Sequence, residues 1–222
     1  MTDRVTFPAA TGEASGVLVA PAGTARVPAV VVIHEWWGVN AQIQTVAERW
    51  AKEGFLAIVP DLFHGFVAKN ADEAGKKMGS LDFAKAVQEI AGAVTYIAAH
   101  PRSTGKVAVT GYCMGGALTL ASACTVPGLA AAVAYYGLPP GADWTKVTAP
   151  IQAHFASHDD WATVAGAKNI QAALAAQHKT MELHVYDAQH AFANDQRPEV
   201  YNAAATQQAW GRSVAFVRQH AT

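Results

Sequence analysis

A cysteine framed by glycines, in the segment Gly111-Tyr112-Cys113-Met114-Gly115-Gly116, constrains the fold of this chain more than any other feature. The segment follows an apolar run at 106–110, which is typical of a buried strand, and precedes a helix-forming stretch at 117–123. The small residues on both sides of the cysteine permit a tight, strained turn between strand and helix. Such a turn holds one side chain above a sheet and near a helix N-terminus, where the pKa of a thiol is lowered. The segment therefore predicts that Cys113 is a nucleophile.

A glycine-framed nucleophile between a strand and a helix resembles the nucleophile elbow of α/β-hydrolases, most of which have a serine at this position. The alternative interpretation is a small, buried cysteine between packing glycines, but the flanking strand and helix favour the elbow. The other cysteine, Cys124, lies in the segment Ala121–Thr125 without a glycine frame, and we interpret it as ordinary helix packing.

The length of 222 residues is that of one globular domain, and we expect a single domain over residues 1–222. With a formal net charge of −1 and no basic block, the chain has no signature of binding to nucleic acid or to an anionic membrane. It contains no apolar run long enough to span a bilayer, and its polar beginning does not resemble a signal peptide. Two cysteines form no disulfide framework, so we expect a cytoplasmic protein. We also expect a monomer or a weak dimer.

Segments of strand and helix character alternate along most of the chain. Strands are predicted at 27–33, 55–59, 106–110, 130–136, 151–157 and 181–186, after a weaker β-rich segment at 15–20. Helices are predicted from Asn40 to Gly54, after the elbow, around 164–177 and at 199–217. This alternation predicts an α/β fold with a mostly parallel, doubly wound sheet and helices on both faces, which is the α/β-hydrolase fold.

A cysteine nucleophile needs a general base, and the base needs an acid that orients it. In α/β-hydrolases these residues follow the nucleophile along the chain, first the acid and then a histidine. His190 is the best candidate for the base, because it lies in a loop between the last predicted strand and the closing helix. That loop is at the carboxyl end of the sheet, where doubly wound folds keep their chemistry.

The acid is expected after the strand that precedes the histidine strand. Two adjacent candidates, Asp159 and Asp160, follow the strand predicted at 151–157. We choose Asp159 because it comes first out of the strand, and we interpret Asp160 as a solvated or helix-capping residue.

The first buried strand ends in His34-Glu35-Trp36-Trp37-Gly38. This segment is not the zinc motif H-E-x-x-H, because Gly38 stands at the second histidine position, and no other cluster suggests a metal or a cofactor. In α/β-hydrolases the loop after this strand and the residue after the nucleophile each supply a backbone N–H to the oxyanion hole. Those donors would be Trp36 and Met114. Glu35 is either an exposed carboxylate at the strand end or, if it faces the elbow, a hydrogen-bond partner of the thiol.

Together these motifs resemble the dienelactone hydrolases (carboxymethylenebutenolidases), the cysteine branch of the α/β-hydrolase superfamily. The resemblance extends from about Val30 to the C-terminus and rests on five segments: His34-Glu35 with Gly38, Val59-Pro60-Asp61-Leu62, the elbow, the acid turn at Asp159 and His190-Ala191-Phe192. It implies a catalytic triad of Cys113, Asp159 and His190. It also implies an auxiliary role for Glu35, which would interact with the resting thiol until substrate binding redirects it.

The chain departs from this family at the residues that hold the substrate carboxylate. The resemblance implies two arginines, whose positions correspond to Gly65 and Asn194 in this sequence, and neither residue is basic. Arg197 and His64 are near these positions and could substitute for the arginines. Because losing a bidentate carboxylate clamp is a large loss of recognition, we expect an ester or lactone hydrolase whose natural substrate is not dienelactone.

Residues near the predicted mouth of the site are candidates for binding the substrate. They are Trp37, Phe63, His64, Phe66, Trp161 and Asn194. Aromatic side chains there could form an apolar pocket, although packing in the core or under a lid explains each of them equally well. The polar segment at 70–80 is either a mobile cover of the site or a solvated helix face.

Three functions are compatible with these residues. The first is covalent hydrolysis of a small ester or lactone by Cys113. The second is hydrolysis of a thioester or an activated phosphoester on the same scaffold, which the fold alone does not exclude. The third is a non-enzymatic sensor of redox state or of a small molecule. The complete set of Cys113, Asp159 and His190 argues against a sensor, which would need only the thiol.

Overall fold

Strands and helices alternate in the computed structural model, which describes residues 2–221. The strands are β1 (Thr2–Ala9), β2 (Gly12–Val19), β3 (Val27–Ile33), β4 (Leu56–Pro60), β5 (Ser103–Tyr112), β6 (Ala131–Tyr135), β7 (Ile151–His158) and β8 (Met181–Gln189). The α-helices are α1 (Ala41–Lys52), α2 (Ala71–Gly79), α3 (Phe83–Ala98), α4 (Met114–Thr125), α5 (Val164–Ala175) and α6 (Ala203–Ala221). A single turn of 3₁₀ helix spans Trp144–Lys146.

The strands form an eight-stranded sheet in the order β1-β2-β4-β3-β5-β6-β7-β8. β2 pairs antiparallel with both β1 and β4, whereas the strands from β4 to β8 in this order are parallel. The strand order reverses at β3, because β4 lies on one side of it and β5 on the other. Such a switch point opens a crevice outside the carboxyl ends of the strands. Ile33 at the end of β3 is opposite Gly111 near the end of β5, so the loop at 34–38 meets Cys113.

Two hydrophobic clusters, one on each face of the sheet, receive alternate side chains of the strands. In β3, Val30 and Val32 lie in one cluster, and Val31 and Ile33 lie in the other. Helices α1, α5 and α6 contribute to the first cluster and α3 to the second. This arrangement confirms the predicted α/β fold, with a mostly parallel sheet and helices on both faces.

The segment at 70–80 forms the regular helix α2. The side chain of Asn70 begins this helix by accepting a hydrogen bond from the backbone N–H of Glu73 at 2.9 Å. Ala74 is the one buried residue of this helix. Of the two interpretations of the segment, a mobile cover or a solvated helix face, the structure therefore favours the solvated helix face. Within the part of the chain that the structure describes, no helix is long and apolar enough to cross a membrane.

Three features of the fold differ from the sequence prediction. The edge strand β1 and helix α3 were not predicted; β1 mixes polar and apolar residues and has a weak strand signal. The closing helix begins at Ala203 instead of residue 199. The reason is local, because the side chain of Asn202 accepts a hydrogen bond from the backbone N–H of Ala205 at 3.0 Å and starts the helix there.

Candidate active site

Cys113 occupies the turn between the end of β5 and the beginning of α4. Its backbone has φ 55° and ψ −117°, a conformation that non-glycine residues rarely adopt and that costs conformational energy. The flanking glycines make this turn possible. A Cβ at Gly111 would lie 2.2 Å from the carbonyl oxygen of Gly115, and a Cβ at Gly115 would lie 2.5 Å from that of Ile33. Only glycine allows β3, β5 and α4 to approach so closely around the cysteine.

The thiol of Cys113 is neutral at physiological pH. Burial raises its pKa to about 12, and the negative charge of Glu35 acts in the same direction. The backbone N–H groups of Met114 and Trp36 donate toward the sulfur and oppose this shift without overcoming it. The pKa of this thiol is therefore raised, not lowered as its position at a helix N-terminus predicts, because desolvation is the largest influence on it. A base must remove the proton before the sulfur can react.

His190 and Asp159 form a hydrogen-bonded pair that lines the same cavity as Cys113. Nδ1 of His190 lies 2.6 Å from Oδ2 of Asp159, whose other oxygen accepts the backbone N–H groups of Trp161 and Ala162 at 2.9 Å each. Burial would raise the pKa of Asp159, but these donors outweigh it and hold the pKa below its ordinary value. The carboxylate accepts a hydrogen bond from Nδ1–H of His190, which leaves the lone pair of the ring on Nε2. Within residues 2–221, Nε2 is buried and has no hydrogen-bond partner, so it is available to accept a proton.

The neighbouring residue, Asp160, is exposed. It borders the cavity that Cys113 and His190 line, and the described contacts of the histidine ring do not include it. The structure thus separates the two adjacent aspartates, and it brings Asp159 to His190. The second cysteine, Cys124, is buried in α4 among the core side chains and lines neither of the cavities described below.

Glu35 is buried at the end of β3 and does not face solvent. Its Oε1 accepts the hydroxyl of Tyr136 at 3.1 Å, and its Oε2 accepts the side-chain amide of Asn194 at 2.7 Å. Burial raises the pKa of this carboxyl, while the hydrogen bond from Asn194 and the charge of His190 oppose the rise. Both oxygens of Glu35 are therefore engaged by side chains other than the thiol.

Tyr136 is a residue of the site that the sequence prediction did not identify. It directly follows β6, its φ is 34°, and its ring packs edge-on against His190 with the centroids 5.2 Å apart. Its position at the carboxyl end of a central strand is the sequence signal that could have indicated it, because polar residues at that edge face the crevice.

Two cavities meet at Cys113, His190 and Trp161. The first has a volume of about 380 Å³ and is lined by polar groups that include Glu35 and Arg197. The second has a volume of about 240 Å³ and lies against the N-terminus of α4 and the α2–α3 connection. Cys113 and His190 line both cavities, so a substrate bound at Cys113 can extend in two directions.

Several predicted substrate-binding residues lie away from these cavities. Phe63 is fully buried and packs against His34, with ring centroids 5.0 Å apart. Nε2 of His64 contacts the Glu89 carboxylate at 3.1 Å, outside the site. Trp37 packs against Trp36 and Phe66 against Phe63, and neither lines a cavity. The structure does not bring these four residues to the two cavities, because sequence proximity to the mouth does not fix which way a side chain turns.

The remaining two candidates have different positions. Trp161 is exposed and borders both cavities, and its role in substrate binding stays a prediction. Asn194 is buried behind the site, where it holds Glu35 and does not line a cavity. Of the two cations that could replace the missing arginines, Arg197 lines the first cavity and His64 does not. Arg197 also donates to Glu199 at 2.8 Å, which neutralises part of its charge.

Comparisons with known proteins identify the family of this chain. The model of the "Dienelactone hydrolase family" matches residues 14–221. "Protein usf" of Aquifex pyrophilus is 34% identical over 206 residues, covering 88% of this chain and 89% of that protein. "Putative carboxymethylenebutenolidase" of Aquifex aeolicus (strain VF5) is 30% identical over 211 residues, covering 87% and 88%.

Solved structures extend the similarity to the whole architecture. The crystal structure of a "Putative Dienelactone Hydrolase" from Klebsiella pneumoniae superposes with a TM-score of 0.90 at 25% identity, covering 99% of this chain and 98% of that one. The Pyrococcus furiosus esterase Pf2001 has a TM-score of 0.73 at 16% identity, covering 100% and 94%, and shares the fold. The chain therefore belongs to the dienelactone hydrolase family and is an enzyme of the carboxylic ester hydrolase type.

Proposed function

We propose that this enzyme hydrolyses carboxylic esters or lactones through a thioester intermediate on Cys113. One observation carries the proposal. Cys113 at its strained elbow and His190 line the same two cavities, and Nε2 of His190 has no hydrogen-bond partner among the described residues. The backbone N–H groups of Trp36 and Met114 donate toward the sulfur. Nucleophile, base and oxyanion donors in this arrangement are what acyl transfer requires.

In the acylation step, the base and the nucleophile act together. His190 takes the proton of the Cys113 thiol, and Asp159 stabilises the resulting imidazolium. The sulfur attacks the ester carbonyl carbon, and the C–S bond forms while the carbonyl oxygen becomes an oxyanion. The backbone N–H groups of Trp36 and Met114, which point at the sulfur at rest, are placed to donate to that oxyanion. The C–O bond then breaks, and the alcohol leaves with the proton from His190.

In the deacylation step, water takes the place of the departed alcohol. His190 removes a proton from the water, and the oxygen attacks the thioester carbonyl carbon. The C–S bond breaks, the carboxylic acid is released, and the proton returns from His190 to the sulfur. Asp159 remains a carboxylate throughout, because its pKa is held low by the hydrogen bonds that it accepts.

Glu35 keeps the thiol in its protonated state between turnovers. Its buried charge raises the pKa of Cys113 and thereby disfavours a free thiolate, which would oxidise easily. Tyr136 and Asn194 fix the position of this carboxylate. The proton therefore leaves the sulfur only when His190 and an ester are both in place.

The substrate that we propose is uncharged near the ester group. Asn194, which stands at one expected arginine position, is occupied in holding Glu35. The other position, Gly65, is in a tight turn with φ 87°, and no side chain extends from it. The larger cavity is lined by three carboxylates, Glu35, Asp159 and Asp160, against one guanidinium, that of Arg197. The name of the Aquifex aeolicus relative, "Putative carboxymethylenebutenolidase", therefore does not fix the substrate here.

A substrate panel with three proteins tests the proposal. Short-chain aryl carboxylic esters, a thioester and an activated phosphoester are assayed with the wild type, Cys113→Ala and Cys124→Ala. We expect ester hydrolysis by the wild type and Cys124→Ala, and loss of at least about 10³-fold in kcat for folded Cys113→Ala. Undiminished turnover by Cys113→Ala would refute the cysteine mechanism, and hydrolysis of the phosphoester alone would assign a different reaction to the site.

A further inference from the structure

The two cavities at Cys113 differ in chemistry, and we call them the polar lobe and the apolar lobe. The polar lobe is the cavity of about 380 Å³, and its own walls include His158, Asp160, Gln189 and Arg197. The apolar lobe is the cavity of about 240 Å³. Among the described residues that line the apolar lobe there is no Asp, Glu, Lys or Arg.

Apolar side chains from two parts of the chain form the walls of the apolar lobe. Met78, Leu81 and Phe83 come from the end of α2 and the beginning of α3, and Leu138 and Pro140 follow β6. The first three are only partly buried, although they are large and apolar. Water in contact with such a surface is released when an apolar group enters, which favours binding of that group.

The chemistry of deacylation decides which lobe holds which part of the ester. His190 protonates the departing alcohol and then deprotonates the incoming water, so both occupy the same position relative to its Nε2. Water therefore reaches the thioester from the lobe that the alcohol has vacated. The polar lobe can hydrate that path through His158, Asp160 and Gln189, whereas the apolar lobe offers few polar groups.

We propose that the apolar lobe is the acyl subsite, and that the enzyme prefers esters of medium-length apolar carboxylic acids with small or polar alcohols. This inference rests on the proposed thioester mechanism. Trp161 separates the two subsites, because its ring contacts Trp36 and His190 with centroids 5.8 Å away in each case and borders both lobes. The acyl chain extends from the sulfur of Cys113 past Met114 toward Met78 and Leu81.

Two matched series of aliphatic esters test the subsite assignment. In the first, ethyl acetate, butyrate, hexanoate and octanoate vary the acyl chain; in the second, ethyl, butyl and hexyl acetate vary the alcohol. Each fully buried methylene contributes about fourfold to kcat/KM, so we expect a rise of at least about tenfold from acetate to hexanoate. The alcohol series should vary by less than about threefold. If kcat/KM rose with the length of the alcohol and did not change with the length of the acyl chain, the apolar lobe would hold the alcohol, and the assignment would be overturned.

Variants at Met78, which is partly exposed on α2, connect the preference to the apolar lobe. Met78→Trp fills the lobe and should lower the hexanoate-to-acetate ratio of kcat/KM at least about fivefold. Met78→Gln should also lower this ratio, because a polar side chain makes the lobe less favourable for an apolar acyl chain. Val185→Trp is the control, because Val185 is exposed and lines neither lobe, and it should keep the wild-type ratio. Unchanged ratios in both Met78 variants would refute the acyl subsite. Activity that survives Cys113→Ala would instead refute the mechanism on which it rests.

Discussion

At the scale of single residues, the proposed mechanism depends on a thiol that is unreactive until a base acts on it. The backbone of Cys113 is strained, and burial and Glu35 raise the pKa of its thiol to about 12. Reactivity then depends on His190, and the orientation of His190 depends on Asp159. Substitutions that retain the shape of a side chain but remove its charge can test the roles of Asp159 and Glu35 one at a time.

The two adjacent aspartates should have very different effects on turnover. Asp159→Asn removes the carboxylate that holds the Nδ1 proton of His190, and kcat should fall about 10³- to 10⁴-fold because the imidazole loses its orientation and tautomer. Asp160→Asn should change kcat less than about threefold, since that carboxylate is exposed. Steady-state kinetics on one aryl ester measure both variants. The reverse ranking would place the catalytic acid one residue later.

Glu35→Gln should make the thiol more acidic. The negative charge of Glu35 raises the pKa of Cys113, so the apparent pKa for alkylation of Cys113 by iodoacetamide should move downward from about 12 in the variant. At any pH below about 12, the variant therefore has a larger fraction of thiolate than the wild type and is alkylated faster. Glu182→Gln, at an exposed carboxylate in β8, serves as the control. An unchanged or higher apparent pKa in Glu35→Gln would contradict the role that we give to this charge.

At the scale of secondary structure, β3, β5 and α4 approach so closely at the elbow that a side chain at Gly111 or Gly115 would collide with the backbone. The elbow, the loop after β3 and the acid and histidine turns could be predicted from the sequence because each is a local motif next to an apolar strand. The bonds of Glu35 to Tyr136 and Asn194 could not be predicted, since they join residues far apart in the chain. The direction of Phe63 could not be predicted either, because it depends on the buried ring of His34.

Two glycine substitutions test the packing around the elbow. Gly115→Ala places a Cβ 2.5 Å from the backbone oxygen of Ile33, so the free energy of unfolding should fall by about 1–3 kcal/mol, with loss of activity. Gly211→Ala lies inside α6 with open space around it and should raise the free energy of unfolding by about 0.5–1 kcal/mol. Urea unfolding measures both variants. Equal stability of the two would show that the close approach of β3 and α4 is not required.

At the scale of the whole molecule, the sheet brings four chain segments to one crevice. The strand order reverses at β3, and the ends of β3, β5, β7 and β8 deliver Glu35, Cys113, Asp159 and His190 to the same edge. The predicted alternation of strands and helices was sufficient to place this edge, because parallel strands gather their carboxyl ends. It was not sufficient to divide the crevice into lobes, which depends on how α2 and α3 pack over it.

The preference for neutral or charged substrates depends on all the charges that line the crevice. Neutral aryl esters or lactones should have a higher kcat/KM than matched substrates with a free carboxylate, because three carboxylates face one partly neutralised guanidinium in the larger cavity. The overall charge of −1 offers no general attraction for anions. Paired kcat/KM values at low ionic strength check this expectation. A strong preference for the carboxylate-bearing substrate, abolished in Arg197→Gln, would show that Arg197 replaces the missing arginines.

The most direct test of the central claim is detection of the acyl group on Cys113 during turnover. The enzyme is mixed with p-nitrophenyl butyrate, quenched with acid within milliseconds to seconds, and analysed by peptide mass spectrometry. The proposed mechanism predicts a butyryl group on the peptide that contains Cys113, formed and lost at rates that account for turnover, and no butyryl group on Cys124. Turnover with Cys113 unmodified at every time, or with the acyl group on another residue, would contradict the mechanism.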